Sequence, residues 1–212
     1  MKTKQTGFTL VEIAIVLVII GLLLGGILKG QEMIIQAKVK NSITDFSGIS
    51  AAYFGYQDRY RAIPGDDATA TRWSGATAGD GNRILVGLYE PALAADETAL
   101  WWDHLRRSGF VTGSGVTNPI NSFNGLMGVQ TGTGAAAPAA VLGGFTNLLM
   151  CSANLPDKVA IALDVQMDDG NPGSGAVRGT QASGNPAISA ATVLATAFYE
   201  TGTLVYTLCR QF

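Results

Sequence analysis

Apolar residues occupy one unbroken stretch near the start of the chain, from Phe8 to Leu28, where only Thr9 and Glu12 are neither apolar nor glycine. About 20 residues of α-helix cross the hydrocarbon core of a bilayer, because each residue advances the helix by about 1.5 Å. The stretch therefore predicts a transmembrane helix over 8–28. Its glutamate is a costly exception, since a charged side chain near the middle of a spanning helix is disfavoured by about 2.5–3.5 kcal/mol.

After this stretch the apolar residues become periodic. They recur at spacings of three and four, as on one face of an amphipathic helix: Ile35, Val39, Ile43, Phe46, Ile49, Tyr53, Tyr56 and Tyr60. The opposite face carries polar and charged side chains, and Pro64 with Gly65 then breaks the pattern. We therefore expect the helix to continue over 29–60 and a globular head to follow over 61–212.

The head has mainly the patterns of strands. Alternating or continuous apolar residues predict strands in four stretches: RILVGLY (83–89), FNGLMGVQ (123–130), TNLLMCSANL (146–155) and TLVYTLC (203–209). A short helix is predicted between Asp96, as its N-cap, and Gly109, while residues 188–200 suit either a helix or a strand. The sum is an α+β fold in which one long N-terminal helix packs on an antiparallel β-sheet.

Composition narrows the range of functions. Only 14% of the residues are charged and the formal net charge is −2, so no broad basic surface is available and nucleic-acid binding is not expected. The single histidine, His104, has no accompanying nucleophile, phosphate loop or Cys/His metal pattern, which argues against an enzyme. The adjacent Trp101 and Trp102 allow two interpretations: one of them anchors a partner, or one is in the core and the other is half-buried.

The first residues also allow two interpretations. A secretory signal peptide would account for the basic MKTKQTG, but the apolar stretch is longer than a normal signal-peptide core and no small-x-small cleavage site follows it. A short basic leader ending in Gly7, followed by FTLVE and an unbroken apolar helix, instead resembles the type IV pilin and type II secretion pseudopilin superfamily. The resemblance covers about the first thirty residues.

The resemblance implies how the N-terminus is processed. In that superfamily, prepilin peptidase cuts after the glycine and methylates the new terminal residue, here between Gly7 and Phe8 with N-methylation of Phe8. Glu12 would then be the fifth mature residue and would pair with a Phe8 amine, commonly of a neighbouring subunit. The alternative is that Glu12 merely snorkels to the headgroups. Many members have a proline at the twenty-second mature position, where this chain has Lys29.

The resemblance further implies a structural subunit of a type IV pilus or a type II secretion pseudopilus. Its partners would be prepilin peptidase, other pilin or pseudopilin subunits and the inner-membrane assembly platform. The chain would wait in the inner membrane as a single-pass protein, with the leader 1–7 in the cytoplasm and the head in the periplasm, and then enter the filament. The large head and Lys29 favour a minor subunit. The alternative is a membrane-anchored periplasmic binding domain that does not assemble.

Two cysteines, Cys151 and Cys209, lie in the last third of the chain. The periplasm is oxidising, so a head located there would be expected to hold them as a disulfide. Pilin-like proteins often close their C-terminal region in this way. The alternative is two separate buried thiols.

An oxygen-rich segment, ALDVQMDDGNPGSG (162–175), is the candidate metal site. Asp164 and Asp168 share one face of a helix or a strand, and Asp169 and Asn171 follow in a glycine-rich loop. Ca²⁺ takes six to eight oxygen ligands, so these four residues are the predicted ligands. The resemblance adds that some major pseudopilins bind calcium in a C-terminal loop. The alternative is a plain turn, because Asp, Gly, Asn and Pro are also the residues of turns.

Overall fold

The computed structural model describes Gly7 and residues 9–132, 141–189 and 191–212. Phe8, on which the predicted processing depends, lies outside the described residues. The elements in chain order are α1 (Leu10–Tyr60), α2 (Glu97–Arg107), β1 (Met127–Thr131), β2 (Leu148–Pro156), α3 (Asp157–Met167), β3 (Val177–Gln181) and β4 (Val205–Gln211), with a short 3₁₀ turn at Ala70–Arg72.

Contacts within the chain divide it into two compact units, Met1–Lys38 and Val39–Phe212. In the first unit the described part is almost entirely α1, which is long and apolar enough there to cross a membrane. Its large apolar side chains are exposed along the whole stretch, among them Leu10, Val11, Leu17, Val18, Leu22 and Leu28. A surface of this kind is stable in lipid or against other apolar helices, which fits membrane anchoring.

The second unit is built around a four-stranded antiparallel sheet with the strand order β1-β2-β4-β3. One face packs against the second half of α1 and against α2, where Tyr56, Trp101 and Trp102 are fully buried. The other face is covered by loops that contribute Tyr89, Phe145 and other apolar side chains. Both faces of the sheet are therefore buried, and the predicted α+β fold with a long N-terminal helix and an antiparallel sheet is confirmed.

The helix α3 forms a third cluster with the β3–β4 side of the sheet. Its inward residues Val159 and Leu163 contact Val177 of β3 and Tyr206 of β4, and Val39 of α1 joins them. This packing places the C-terminal end of α3 beside the start of β3. It thereby fixes the position of the acidic segment that follows α3.

Three of the four predicted strands are present, as β1, β2 and β4, and RILVGLY is not a strand. Arg83 and Gly87 have φ angles of 70° and 119°, which a strand does not accommodate. The amides of Leu85 and Val86 bond instead to side chains, Thr131 Oγ1 and Glu97 Oε2. The structure adds the short strand β3, whose sequence VRGTQ has too little apolar character to be predicted.

Other predictions concern α2 and the segment 188–200. α2 begins after Asp96 as predicted, although the Asp96 carboxylate accepts from Leu93 N rather than capping the helix. Trp101 and Trp102 are both fully buried, so neither an exposed anchor for a partner nor a half-buried second tryptophan is found. The described residues of 188–200 form neither a helix nor a strand.

Cys151 and Cys209 form a disulfide. They lie directly opposite each other in the pairing of β2 with β4, with their Cα atoms 4.0 Å apart. In the chain-entropy model a cross-link that closes a loop of this length stabilises the fold by about 4 kcal/mol. The disulfide therefore joins the two central strands of the sheet.

Candidate functional site

The N-terminal end of α1 is capped by three reciprocal hydrogen bonds between Thr9 and Glu12. The carboxylate of Glu12 accepts from Thr9 N (2.8 Å) and from Thr9 Oγ1 (2.7 Å), while Glu12 N donates to Thr9 Oγ1 (3.3 Å). This is a capping box, in which Thr9 is the N-cap and Glu12 the third helical residue. The T-x-x-E spacing at 9–12 is the signal for it in the sequence. The glutamate is thus locally hydrogen-bonded before any partner arrives.

The rest of the first unit presents small residues and one ion pair. A Cβ added at Gly21, Gly25, Gly26 or Gly30 would meet nothing within 4 Å, so the helix backbone is approachable at these positions. Lys29, which stands where many pilins have proline, pairs with Glu32 at 2.8 Å on the helix surface. The helix continues through this position without a break.

The last turn of α3 and the segment after it bring three carboxylates together. Oxygens of Asp164, Asp168 and Asp169 all lie within 4.8 Å of one another. Asp164 is fully buried, and both of its carboxylate oxygens lack a hydrogen-bond partner among the described residues. Burial, together with the charges of Asp169 and Asp168, raises the pKa of Asp164 to about 7, and the nearby backbone amide of Gly170 opposes this shift without reaching hydrogen-bond geometry. A buried carboxylate without a donor is costly, and a bound cation would satisfy it.

The other two carboxylates each hold the following loop. Asp168 Oδ2 accepts from Val177 N at 2.9 Å, and the carboxylate of Asp169 accepts from Asn171 N and Ser174 Oγ. The fourth predicted ligand is placed differently, because Asn171 Oδ1 accepts from Gly173 N at 3.0 Å within the turn. The predicted group is therefore brought together in three of its four members.

A glycine makes room for this arrangement. Gly175 has a φ of 72°, and a Cβ at this position would collide with the carboxylate of Asp168. Three carboxylates offer up to six oxygens, and loop carbonyls and water commonly complete the six to eight that Ca²⁺ takes. The donor set therefore fits a hard divalent cation, with Asp164, Asp168 and Asp169 as the residues that would hold it.

A second acidic group, which the sequence did not predict, lies between α1 and α2 in the chain. Oxygens of Asp66, Asp80 and Glu97 also lie within 4.8 Å of one another. Asp66 accepts from three backbone amides of the loop at 81–83, and Glu97 accepts from Asp80 N and Val86 N. Burial, opposed by these amides and reinforced by the neighbouring Asp80, raises the pKa of Asp66 to about 6. This group organises an irregular loop by hydrogen bonding.

Asp67 and His104 are structural in the same way. Asp67 is buried and accepts from Tyr56 Oη at 2.6 Å and from Arg72 Nη1 at 2.8 Å. His104 is fully buried, with Nδ1 accepting from Gly65 N and Nε2 placed 2.8 Å from Thr77 O, and burial lowers its pKa. These contacts use both ring nitrogens, which leaves His104 a role in packing.

The comparison with known families decides the class of the N-terminal segment. A family model described as the prokaryotic N-terminal methylation motif matches residues 2–28. The chain carries the prepilin signature of type IV pilins and pseudopilins. The motif is typical of prepilins, which prepilin peptidase processes and which assemble with other pilin subunits. No curated protein and no solved structure matches the chain.

Proposed function

We propose that the chain is a subunit, of the minor type, of a type IV pilus or a type II secretion pseudopilus. Prepilin peptidase cleaves it between Gly7 and Phe8 and methylates Phe8, and the apolar helix then carries it from the inner membrane into the filament. The observation that carries the proposal is the methylation motif at 2–28, which leads directly into a helix with an exposed apolar surface. The head faces the periplasm before assembly.

Glu12 is the assembly residue in this proposal. Its capping bonds to Thr9 hold the carboxylate at the helix end, four positions along the sequence from the residue whose amine cleavage creates. When helices pack in the filament, that carboxylate pairs with a Phe8 amine of a neighbouring subunit, and the pair fixes the axial register. Breaking one side of a buried ion pair costs about 3–5 kcal/mol, which is enough to exclude a variant subunit from the filament.

The test is co-expression of the full chain with and without an active prepilin peptidase, followed by intact-mass and N-terminal analysis. We expect an N-methylated Phe8 terminus, abolished by Gly7→Ala. Glu12→Ala should be processed but should not enter filaments, and Thr9→Ala is its control because it removes part of the capping box and leaves the carboxylate. An intact N-terminus in the presence of active peptidase would favour the non-assembling, membrane-anchored binding domain.

We further propose that the head binds Ca²⁺ through Asp164, Asp168 and Asp169. The specific support is the buried Asp164 carboxylate, whose two oxygens have no partner among the described residues and which faces two further carboxylates. The test is calorimetric titration of the full-length chain in detergent with Ca²⁺. We expect saturable binding by the unsubstituted chain and none by Asp164→Asn. The absence of any heat in the unsubstituted chain would refute the site.

A further inference from the structure

Among the described residues, the strand β3 lies at one edge of the sheet and pairs with β4 alone. Backbone N–H groups on the open side of an edge strand need another partner, since an uncovered edge is a template for pairing with another chain. Two of these groups in β3 are the amides of Val177 and Gly179, which bond outside the sheet. What satisfies them determines whether this edge is closed.

Both amides are satisfied by the acidic segment that follows α3. Val177 N donates to the Asp168 carboxylate at 2.9 Å, and Gly179 N donates to the carbonyl of Pro172 at 3.0 Å. At the same open edge, Ala195 N donates to the carbonyl of Gly179 at 2.8 Å. Residues 168–172 therefore cover the start of β3 much as a further strand would. We call these residues the strap.

The strap and the candidate cation site share a residue. Asp168 belongs to the three-carboxylate group and at the same time accepts from Val177 N. Three carboxylates within 4.8 Å repel one another, and moving the strap away from Asp164 would relieve that repulsion. A bound divalent cation attracts all three carboxylates and therefore favours the closed strap. Opening the strap would break this coordination and release the ion.

We propose that a divalent cation held by Asp164, Asp168 and Asp169 locks the strap onto the edge of β3, and that its removal lets the strap open and uncover the amides of Val177 and Gly179. This regulation rests on the Ca²⁺ site proposed above. Occupancy of the site thereby controls whether the start of this edge is covered, while the segment at 193–195 still covers the carbonyl of Gly179 and the side chain of Thr180.

The experiment is amide hydrogen exchange of the full-length chain in detergent, with excess Ca²⁺ or with a chelator. If strap opening releases the cation, Ca²⁺ at about 100 times its Kd lowers the open fraction about 100-fold. We expect exchange at Val177 and Gly179 to slow by about that factor. Amides of β1 that exchange by local opening, at the opposite edge of the sheet, are the internal control and should be unaffected, because their opening does not release the cation.

Asp164→Asn isolates the effect of the cation. Asp164 has no hydrogen bond to β3 among those found in the described residues, but the Gly170 amide of the strap lies close enough to lower its pKa. Exchange of the variant in chelator therefore measures the effect of the substitution without the ion. Exchange in this variant should not respond to Ca²⁺. Asp169→Asn, at an exposed residue of the loop, provides a second variant if the first folds poorly, with exchange in chelator as the reference for its lost bonds to Asn171 and Ser174.

The outcomes separate the two proposals. Calorimetric binding of Ca²⁺ with unchanged exchange at Val177 and Gly179 would overturn the strap and leave the cation site standing. Absence of binding in the unsubstituted chain would overturn both. Binding with slowed exchange at these amides, both lost in Asp164→Asn, is the result that supports the lock.

Discussion

The head contains two groups of three acidic residues whose oxygens come within 4.8 Å of one another, and the two groups differ in what surrounds those oxygens. In the first group Asp66 and Glu97 accept hydrogen bonds from five backbone amides of the loop between them. In the second group both oxygens of the fully buried Asp164 lack a partner among the described residues. Both groups therefore bring three carboxylates close together, but only the Asp66 group supplies its buried carboxylates with hydrogen-bond donors.

This difference in hydrogen bonding distinguishes carboxylates that stabilise the fold from carboxylates that could bind a ligand. A carboxylate surrounded by backbone N–H groups stabilises the loop, and its oxygens are already occupied as hydrogen-bond acceptors. A buried carboxylate without donors costs free energy that the fold retains only if something else compensates it. We therefore assign a structural role to the Asp66 group and a binding role to the Asp164 group, and the substitutions below test that contrast.

The largest effect is expected from Asp66→Ala. It removes the acceptor of the Gly81 and Arg83 amides, while Asn82 N keeps its bond to Asp80 Oδ1, and a hydrogen bond to a charged group contributes about 1.5–3 kcal/mol. We expect the free energy of unfolding to fall by about 3–5 kcal/mol in urea titrations, equally with Ca²⁺ and with a chelator. Asp80→Ala, at the exposed member of the same group, is the control and should cost less than about 1 kcal/mol. A loss that depends on Ca²⁺ would contradict the structural assignment.

The next effect concerns the Asp164 group. Ca²⁺ at about 100 times its Kd should stabilise the unsubstituted chain by about 2.7 kcal/mol, because the ion binds only the folded state. Asp164→Asn should remove this gain, while in the presence of chelator it should leave stability unchanged or raised, since it removes a buried charge facing Asp168 and Asp169. Thermal unfolding with and without Ca²⁺ measures both quantities. A strong loss of stability in chelator would show that Asp164 is structural after all.

The sequence predicted the second group and missed the first for a physical reason. Asp164, Asp168 and Asp169 lie within six consecutive positions of the chain, so local geometry alone brings them together. Asp66, Asp80 and Glu97 meet only because the irregular loop between them folds back, through positive φ angles at Gly81 and Arg83. No periodicity encodes such a loop.

The same distinction holds for the fold. The long helix and three strands follow from apolar patterns, whereas β3 is defined by its pairing with β4 and by the strap that covers it. RILVGLY has a strand pattern, but its amides are captured by Thr131 and Glu97. The orphaned carboxylate of Asp164 is also a tertiary property, because it depends on the packing of α3 against β3 and β4. The sequence shows which oxygens could bind, and only the fold shows which of them lack donors.

Asp66 and Asp67 sharpen the comparison, because adjacent buried carboxylates respond oppositely to their surroundings. Burial alone would raise the pKa of Asp67, but the Arg72 guanidinium and the Tyr56 hydroxyl lower it to about 2. A carboxyl whose pKa is lower in the folded state contributes stability above its unfolded pKa of about 4, and this is lost as the pH falls towards 2. Asp67→Asn should therefore cost about 2–3 kcal/mol at pH 7 and little at pH 2, by urea unfolding at each pH. A cost independent of pH would rule out the ion pair as its source.

The smallest expected effect comes from the backbone that supports the Asp164 group. Gly175 and Gly184 have nearly the same φ, 72° and 74°, but a Cβ at Gly175 would collide with the Asp168 carboxylate and one at Gly184 would meet nothing within 4 Å. Both alanine variants bear the same left-handed backbone strain, so the difference between them reports the displacement of Asp168 alone. We expect Gly175→Ala to weaken Ca²⁺ binding about tenfold, or about 1.4 kcal/mol, and Gly184→Ala to leave it unchanged by calorimetry. Equal affinities in the two variants would mean that Asp168 is not a ligand, and the cation site would then rest on Asp164 and Asp169 alone.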